Sequence, residues 1–156
     1  MKKIIAVLIV LVLYSGLAFA GEKARDGRFI AYDNETVLDT RTNLMWAAKD
    51  NGRDINWADA KSYCLNYRGA GYTDWRMPKQ DELASLYDIA KTYKSNCFEM
   101  SIHLTELIRL TCGLVWSSEV RESDTAFFFI FGNGEREWGN LSKVNNRRAL
   151  PVRSVK

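Results

Sequence analysis

The sequence predicts an α+β domain in which two helices pack on an antiparallel sheet. Three observations carry this. Short strand-like runs separated by turn residues follow residue 27. Two segments with helical spacing and clear start signals occupy the middle. An aromatic, β-prone stretch broken by a Gly-Asn-Gly turn leads into the end of the chain.

The elements follow in order. Residues 28–32 (RFIAY) alternate well enough for a strand, 33–35 turn, and 36–39 return as the second arm of a hairpin. Residues 41–43 turn again, and 44–47 (LMWA) form an apolar third strand before a polar loop at 49–54. Asn56 reads as a helix N-cap, with Asp59 three residues on, where a negative charge suits the helix dipole. Trp57, Ala60, Cys64 and Tyr67 then recur on one face, and Gly in residues 68–71 permits a left-handed stop. Pro78 is placed to open a second helix with an inner stripe of Leu83, Leu86, Tyr87 and Ala90. Residues 96–113 read as a loop with a short helical piece at 104–110. Strands are expected at 114–118, 125–131, 135–138 and 148–155, with a hairpin turn at 132–134 and a loop at 140–146.

The 156 residues carry 22 Lys+Arg against 19 Asp+Glu and are 47% apolar, which excludes a disordered chain, a collagen, a coiled coil and a multi-span membrane protein. The first twenty residues read as a secretory signal. Met1-Lys2-Lys3 is a basic start, residues 4–13 are an unbroken apolar run, and Ala18-Phe19-Ala20 is a small-x-small cleavage site. The apolar run is shorter than the ~20 residues of a spanning helix. The expected organisation is therefore a signal at 1–20, a flexible mature start at 21–27, and one domain at 28–156, exported to the periplasm or beyond. No membrane span is expected after cleavage. Cleavage before Gly21 removes Lys2 and Lys3, so the net charge falls from +3 to +1 and nucleic acid is not an expected partner.

Export places Cys64, Cys97 and Cys112 where disulfides persist. An odd number leaves one over. A bridge between Cys97 and Cys112 would pin a loop, and Cys64, among apolar neighbours on a helix, reads as a buried thiol. A catalytic role for Cys64 would need a base, and nothing in the sequence pairs it with His103, the only histidine. No C-x-x-C spacing occurs, and the oxygen-rich run 50–54 has Arg53 in it and no EF-hand spacing, so no metal or cofactor is expected.

One ordered set of segments stands out: 39–46 (DTRTNLMW), 71–78 (GYTDWRMP) followed by Glu82-Leu83, 115–119 (VWSSE) and 148–153 (RALPVR). In this set the chain resembles the Lcl C-terminal domain family, a bacterial family of largely unknown function named for an exported collagen-like adhesin. The resemblance spans residues 28–155. It implies a relation to the C-type-lectin and formylglycine-generating-enzyme fold group, with two helices flanking a small twisted sheet and a long irregular region that carries ligand contacts. It also suggests adhesion, binding of sulfated glycans and oligomers such as trimers. Lys79 stands where relatives carry Thr, which removes a Thr-x-x-Glu capping box with Glu82. Ser154 stands where many relatives carry a Cys able to bridge the first helix. The resemblance therefore leaves Cys64 unpartnered and favours the Cys97–Cys112 pair.

Most motif residues have structural roles available to them. Trp75 is expected to anchor the crossover, with Asp74 and Arg76 satisfying backbone groups or each other. Trp46, Trp57 and Trp116 fall on inward faces, while Pro78 and Glu82 start the second helix. Ser117-Ser118 lacks a nucleophile elbow, and the carboxylate pairs Asp81-Glu82 and Glu135/Glu137 read as solvated. One recognition feature remains. Lys143, Arg147, Arg148, Arg153 and Lys156 lie in the last fourteen residues with no acid among them, near Trp138. A basic rim beside an indole suits acidic or sulfated sugars. The expectation is an exported, non-catalytic binding or adhesion module for a polysaccharide or an envelope protein. The alternatives are an enzyme related to formylglycine-generating enzymes and a structural envelope subunit.

Overall fold

The computed structural model describes residues 20–155. Apart from Ala20, the expected signal lies outside the described residues, as does Lys156. The chain order is β1 (Glu22–Asp26), β2 (Phe29–Tyr32), β3 (Thr36–Asp39), β4 (Leu44–Ala47), α1 (Trp57–Asn66), α2 (Gln80–Leu86), β5 (Tyr93–Lys94), β6 (Ser101–Ile102), β7 (Leu114–Arg121), β8 (Thr125–Ile130), β9 (Glu135–Asn140), β10 (Arg147–Arg148) and β11 (Val152–Ser154). The fold is α+β, as the order of patterns predicts. The strands form three sheets rather than one: β1-β2-β3-β4-β11, β10-β7-β8-β9 and the small pair β5-β6. All pairings are antiparallel except β10 with β7.

The first sheet follows from its residues. All four residues of β4 are buried, as expected of a strand covered on both faces. Asp39 turns the chain between β3 and β4 by accepting the Arg41 N–H at 3.0 Å, and Asn43 takes the left-handed conformation that asparagine tolerates. Residues 21–27, expected to be a flexible start, instead carry β1, which pairs with β2. Every residue of β1 but Asp26 is exposed, so burial leaves no apolar signal for the strand in the sequence.

Helix α1 begins as the sequence predicts. Asn56 caps it by accepting the Asp59 N–H at 2.9 Å, and Ala60 and Cys64 face the core. Its end differs. Tyr67 turns extended directly after Asn66, and the left-handed residues Ala70 and Gly71 belong to a separate short turn. Helix α2 starts two residues beyond Pro78, with Lys79 as its cap. The cap is one-sided. A lysine ammonium has no lone pair to accept an amide, but Glu82 still accepts the Lys79 N–H at 2.7 Å. The remaining first-turn donor of Gln80 goes to the Glu119 carboxylate, a partner supplied by β7. The helix ends at Leu86, so Ala90 is exposed outside it.

Two corrections concern the C-terminal half. Residues 104–110 form no helix. They run as an irregular segment that buries Leu104, Ile108 and Leu110 beside Leu83, Leu86 and Trp46. The expected last strand at 148–155 is two strands in two sheets, β10 beside β7 and β11 beside β4, joined by buried Ala149-Leu150-Pro151. Proline lacks the N–H a ladder needs, which suits the crossing point. A second apolar cluster fills the space under α1, from Ile55, Ala60, Cys64, Met77, Trp116, Ala126, Phe128 and Ala149.

Candidate functional site

The motif residues meet as the fold's joints. Trp116 is fully buried and donates to the Ile55 carbonyl at 2.9 Å, and Trp57, half-buried, donates to the Ser117 carbonyl at 2.8 Å. Buried Trp75 donates to the Gly69 carbonyl and takes the Tyr67 ring edge-on. Trp46 is fully buried in the first core. Of the expectation that Asp74 and Arg76 satisfy backbone groups or each other, the pairing with each other is corrected, while Arg76 does donate to the Met77 carbonyl at 3.4 Å. Arg76 makes a two-pronged pair with Glu82 at 2.8 and 2.6 Å, and Asp74 makes one with Arg153 at 2.6 and 3.1 Å. Burial raises the Glu82 carboxyl, but the Arg76 guanidinium and the Lys79 N–H outweigh it and hold the group below its ordinary range.

The C-terminal bases do not share one exposed face among the described residues. Arg148 is buried between Asp54, Thr111 and the carboxylate of buried Asp50. Arg153 is buried on Asp74 and under the Tyr72 ring. Lys143 is exposed. Arg147 points to the other side of β10, where its guanidinium lies 4.9 Å from the Trp116 ring centre and 4.2 Å from that of Phe128. Gly139 makes that approach possible, because a Cβ there would stand 2.9 Å from an Arg147 nitrogen. Arg147 forms no ion pair among the described residues, and burial lowers its affinity for the proton. Trp138 is half-buried against the Phe127 ring with the Arg121 guanidinium over it, so it is not an open platform.

Three loop segments, 50–56, 95–99 and 141–148, instead build a common face. A Cys97–Cys112 disulfide holds the middle segment to the start of the β7 approach. Asp50 anchors the first by accepting the Gly52 and Thr111 N–H groups at 2.8 and 2.7 Å. Burial pushes the Asp50 carboxyl up despite those bonds, while Arg148 pulls the more exposed Asp54 down. Asn51 joins the first and third segments by accepting the Ala149 N–H. Two open concavities lie on this face. One, of about 640 Å³, runs along α1 and is lined by Asp54, Asn56, Asp59, Tyr63, Asn66 and Val144. The other, of about 380 Å³, is lined by Asn96, Cys97, Phe98, Thr111, Asn146 and Arg148. Phe98 stands 77% exposed at the loop tip, and both it and Glu99 adopt positive φ, a strained conformation for such residues. Sequence reasoning missed Tyr63, Asn66, Phe98 and Asn146. The only visible signal was the oxygen-rich run at 50–54.

The nucleophile candidates of the sequence lie in separate surroundings. Cys64 is buried under α1 and burial pushes its thiol up to about 12. The His103 ring sits on the Lys91 carbonyl and against Tyr87. Ser117 is fully buried. Among the described residues, no group of three or more His, Cys, Asp or Glu side chains is placed to hold a metal ion, and no helix is long and apolar enough to cross a membrane.

These features define a disulfide-tied α+β domain with a concave face built from loops. The chain belongs to the Lcl C-terminal domain family, whose profile matches residues 35–153. Among curated proteins, none matches the chain.

Proposed function

We propose that the chain is an exported, non-catalytic recognition module of C-type-lectin-like design that binds a polysaccharide through its loop face. The observation that carries this is the groove along α1. There the Tyr63 ring lies among Asn56, Asn66, Asp54 and Asp59, side chains that exchange hydrogen bonds with vicinal hydroxyls while a ring packs on a sugar face. Export is supported by the signal pattern of residues 1–20 and by the Cys97–Cys112 bridge, since such bridges persist in oxidising compartments. The non-catalytic part is supported by the burial of Cys64 and the distinct engagement of His103.

A second specificity rests on Arg147. A half-buried guanidinium with no acid partner among the described residues favours ligands that carry sulfate or carboxylate groups. Binding of the mature protein to immobilised neutral and sulfated polysaccharides tests both parts. Tyr63→Ala is expected to weaken retention on every polysaccharide that binds. Arg147→Gln is expected to weaken retention on the sulfated ones alone and to remove the salt dependence there. Absence of retention on any polysaccharide, or retention indifferent to Tyr63→Ala, overturns the proposal. Stable co-purification with one envelope protein and no polysaccharide retention would instead identify a structural subunit.

A further inference from the structure

A different concavity, sharing no lining residue with the loop face, opens between the β1–β2 turn, the β3–β4 turn and the end of α2. It encloses about 380 Å³, and its lining includes Arg28, Phe29, Arg41, Ala84, Tyr87 and Lys91. Two local devices set its chemistry. Gly27, at φ 57°, turns the chain so that Arg28 faces inward, and Asp39 fixes the next turn so that Arg41 projects from the opposite side. Both guanidiniums then donate to one oxygen, the Ser85 carbonyl at the end of α2.

Capping a helix C-terminus needs one cation. Here there are two, and the cavity lining also holds two carboxylates, Asp26 and Asp88. Asp39, with a fully buried side chain, pairs with Arg28 at 3.0 Å. Asp26 is held by Lys91 and by the Thr105 hydroxyl at 2.6 Å. Asp88 accepts the Ala90 N–H at 3.0 Å. Arg41 has no acid partner among the described residues, and apart from the bond to Ser85 its guanidinium donors find no acceptor there. The cavity therefore presents the Arg41 guanidinium, without an ion pair among the described residues, beside a second guanidinium that lies over the Phe29 ring, with the Tyr87 ring and the Ala84 methyl on its apolar side.

We infer that this cavity is a binding site for a small amphipathic carboxylate, held by Arg41 with help from Arg28 while its apolar part lies against Phe29 and Tyr87. A carboxylate fits the fork of a guanidinium in two parallel bonds. Benzoate and its neutral isostere benzamide are suitable probes of the mature protein, followed by NMR titration. Benzoate is expected to bind saturably, shifting the Tyr87 ring and Arg41 side-chain signals, and benzamide is expected not to. Arg41→Gln is expected to weaken benzoate at least fivefold, with Arg41→Lys between the two, because an ammonium keeps the charge and loses the fork. Arg41 is exposed and Arg28 still caps Ser85, so both variants should fold, which their thermal melts will check. Equal binding of benzoate and benzamide, no binding of either, or affinity unchanged in Arg41→Gln overturns the inference. Retention on polysaccharides is expected to be the same in Arg41→Gln and wild type, which separates this site from the loop face.

Discussion

Arg148 shows what a single residue contributes here. It lies in a strand of two residues, yet its guanidinium joins the 50–56 loop to the approach to β7 through Asp50, Asp54 and Thr111. Replacing it by methionine leaves the Asp50 charge buried without its counter-ion. Arg148→Met is expected to cost about 3 kcal/mol or more in urea denaturation, and Asp50→Asn in the same chain is expected to restore part of that. Asp26 gives a pH signature. Hydrogen bonds from Lys91 and Thr105 hold its carboxyl below the ordinary value, against the opposing effect of burial. The folded state therefore binds that proton less readily than the unfolded chain. The stability it contributes is complete above about pH 4 and is lost as the pH falls through the lowered folded value. Asp26→Asn is expected to be less stable than wild type by ~1 kcal/mol at pH 7, with the gap closing below about pH 4. At this scale, the burial of Trp46, Trp75 and Trp116 was legible in the sequence, and the surroundings of Trp138 and of the arginines were not. A tryptophan's destination follows from its apolar area, whereas an arginine's depends on which carboxylate the fold brings to it. Arg148 finds Asp50 and Asp54, and Arg153 finds Asp74, across most of the chain's length.

Among the elements, the segment between β5 and β7 depends most on covalent help. It has a two-residue strand, two consecutive positive-φ residues and a bridge spanning 15 residues. Replacing both Cys97 and Cys112 by serine is expected to cost about 3 kcal/mol by chain-entropy reasoning and to loosen the Phe98 loop. Alkylation with mass readout checks the thiol assignment. The native protein should take up no label, the denatured unreduced protein one at Cys64, and the denatured reduced protein three. Elements with local signals were legible: the Asn56 cap, the β3 and β4 runs and the turn at 132–134. Those defined by distant partners were not. Nothing local shows that Glu119 caps α2, or that the chain from 104 to 110 fills the core without becoming a helix.

For the whole molecule, the last residues decide cohesion. One short run enters the second sheet as β10, crosses at Pro151 and completes the first sheet as β11, burying Leu150 and Val152 on the way. The two sheets are therefore expected to unfold together, with tryptophan fluorescence and far-UV circular dichroism giving one urea midpoint. A chain ending after Arg148 is expected to lose its near-UV signal, because the first core loses Leu150 and Val152 and β4 loses its outer partner. Residues 148–155 (RALPVRSV) read as one strand in one sheet, and only Pro151 marks the crossing in the sequence. The rims of those sheets carry a further consequence. One outer strand of each sheet, β1 (EKARD) and β9 (EREWGN), presents charges of both signs to solvent. Such borders resist the backbone zippering that starts fibrils. Copies of this protein crowded at high concentration are thus steered away from stacking through these two edges.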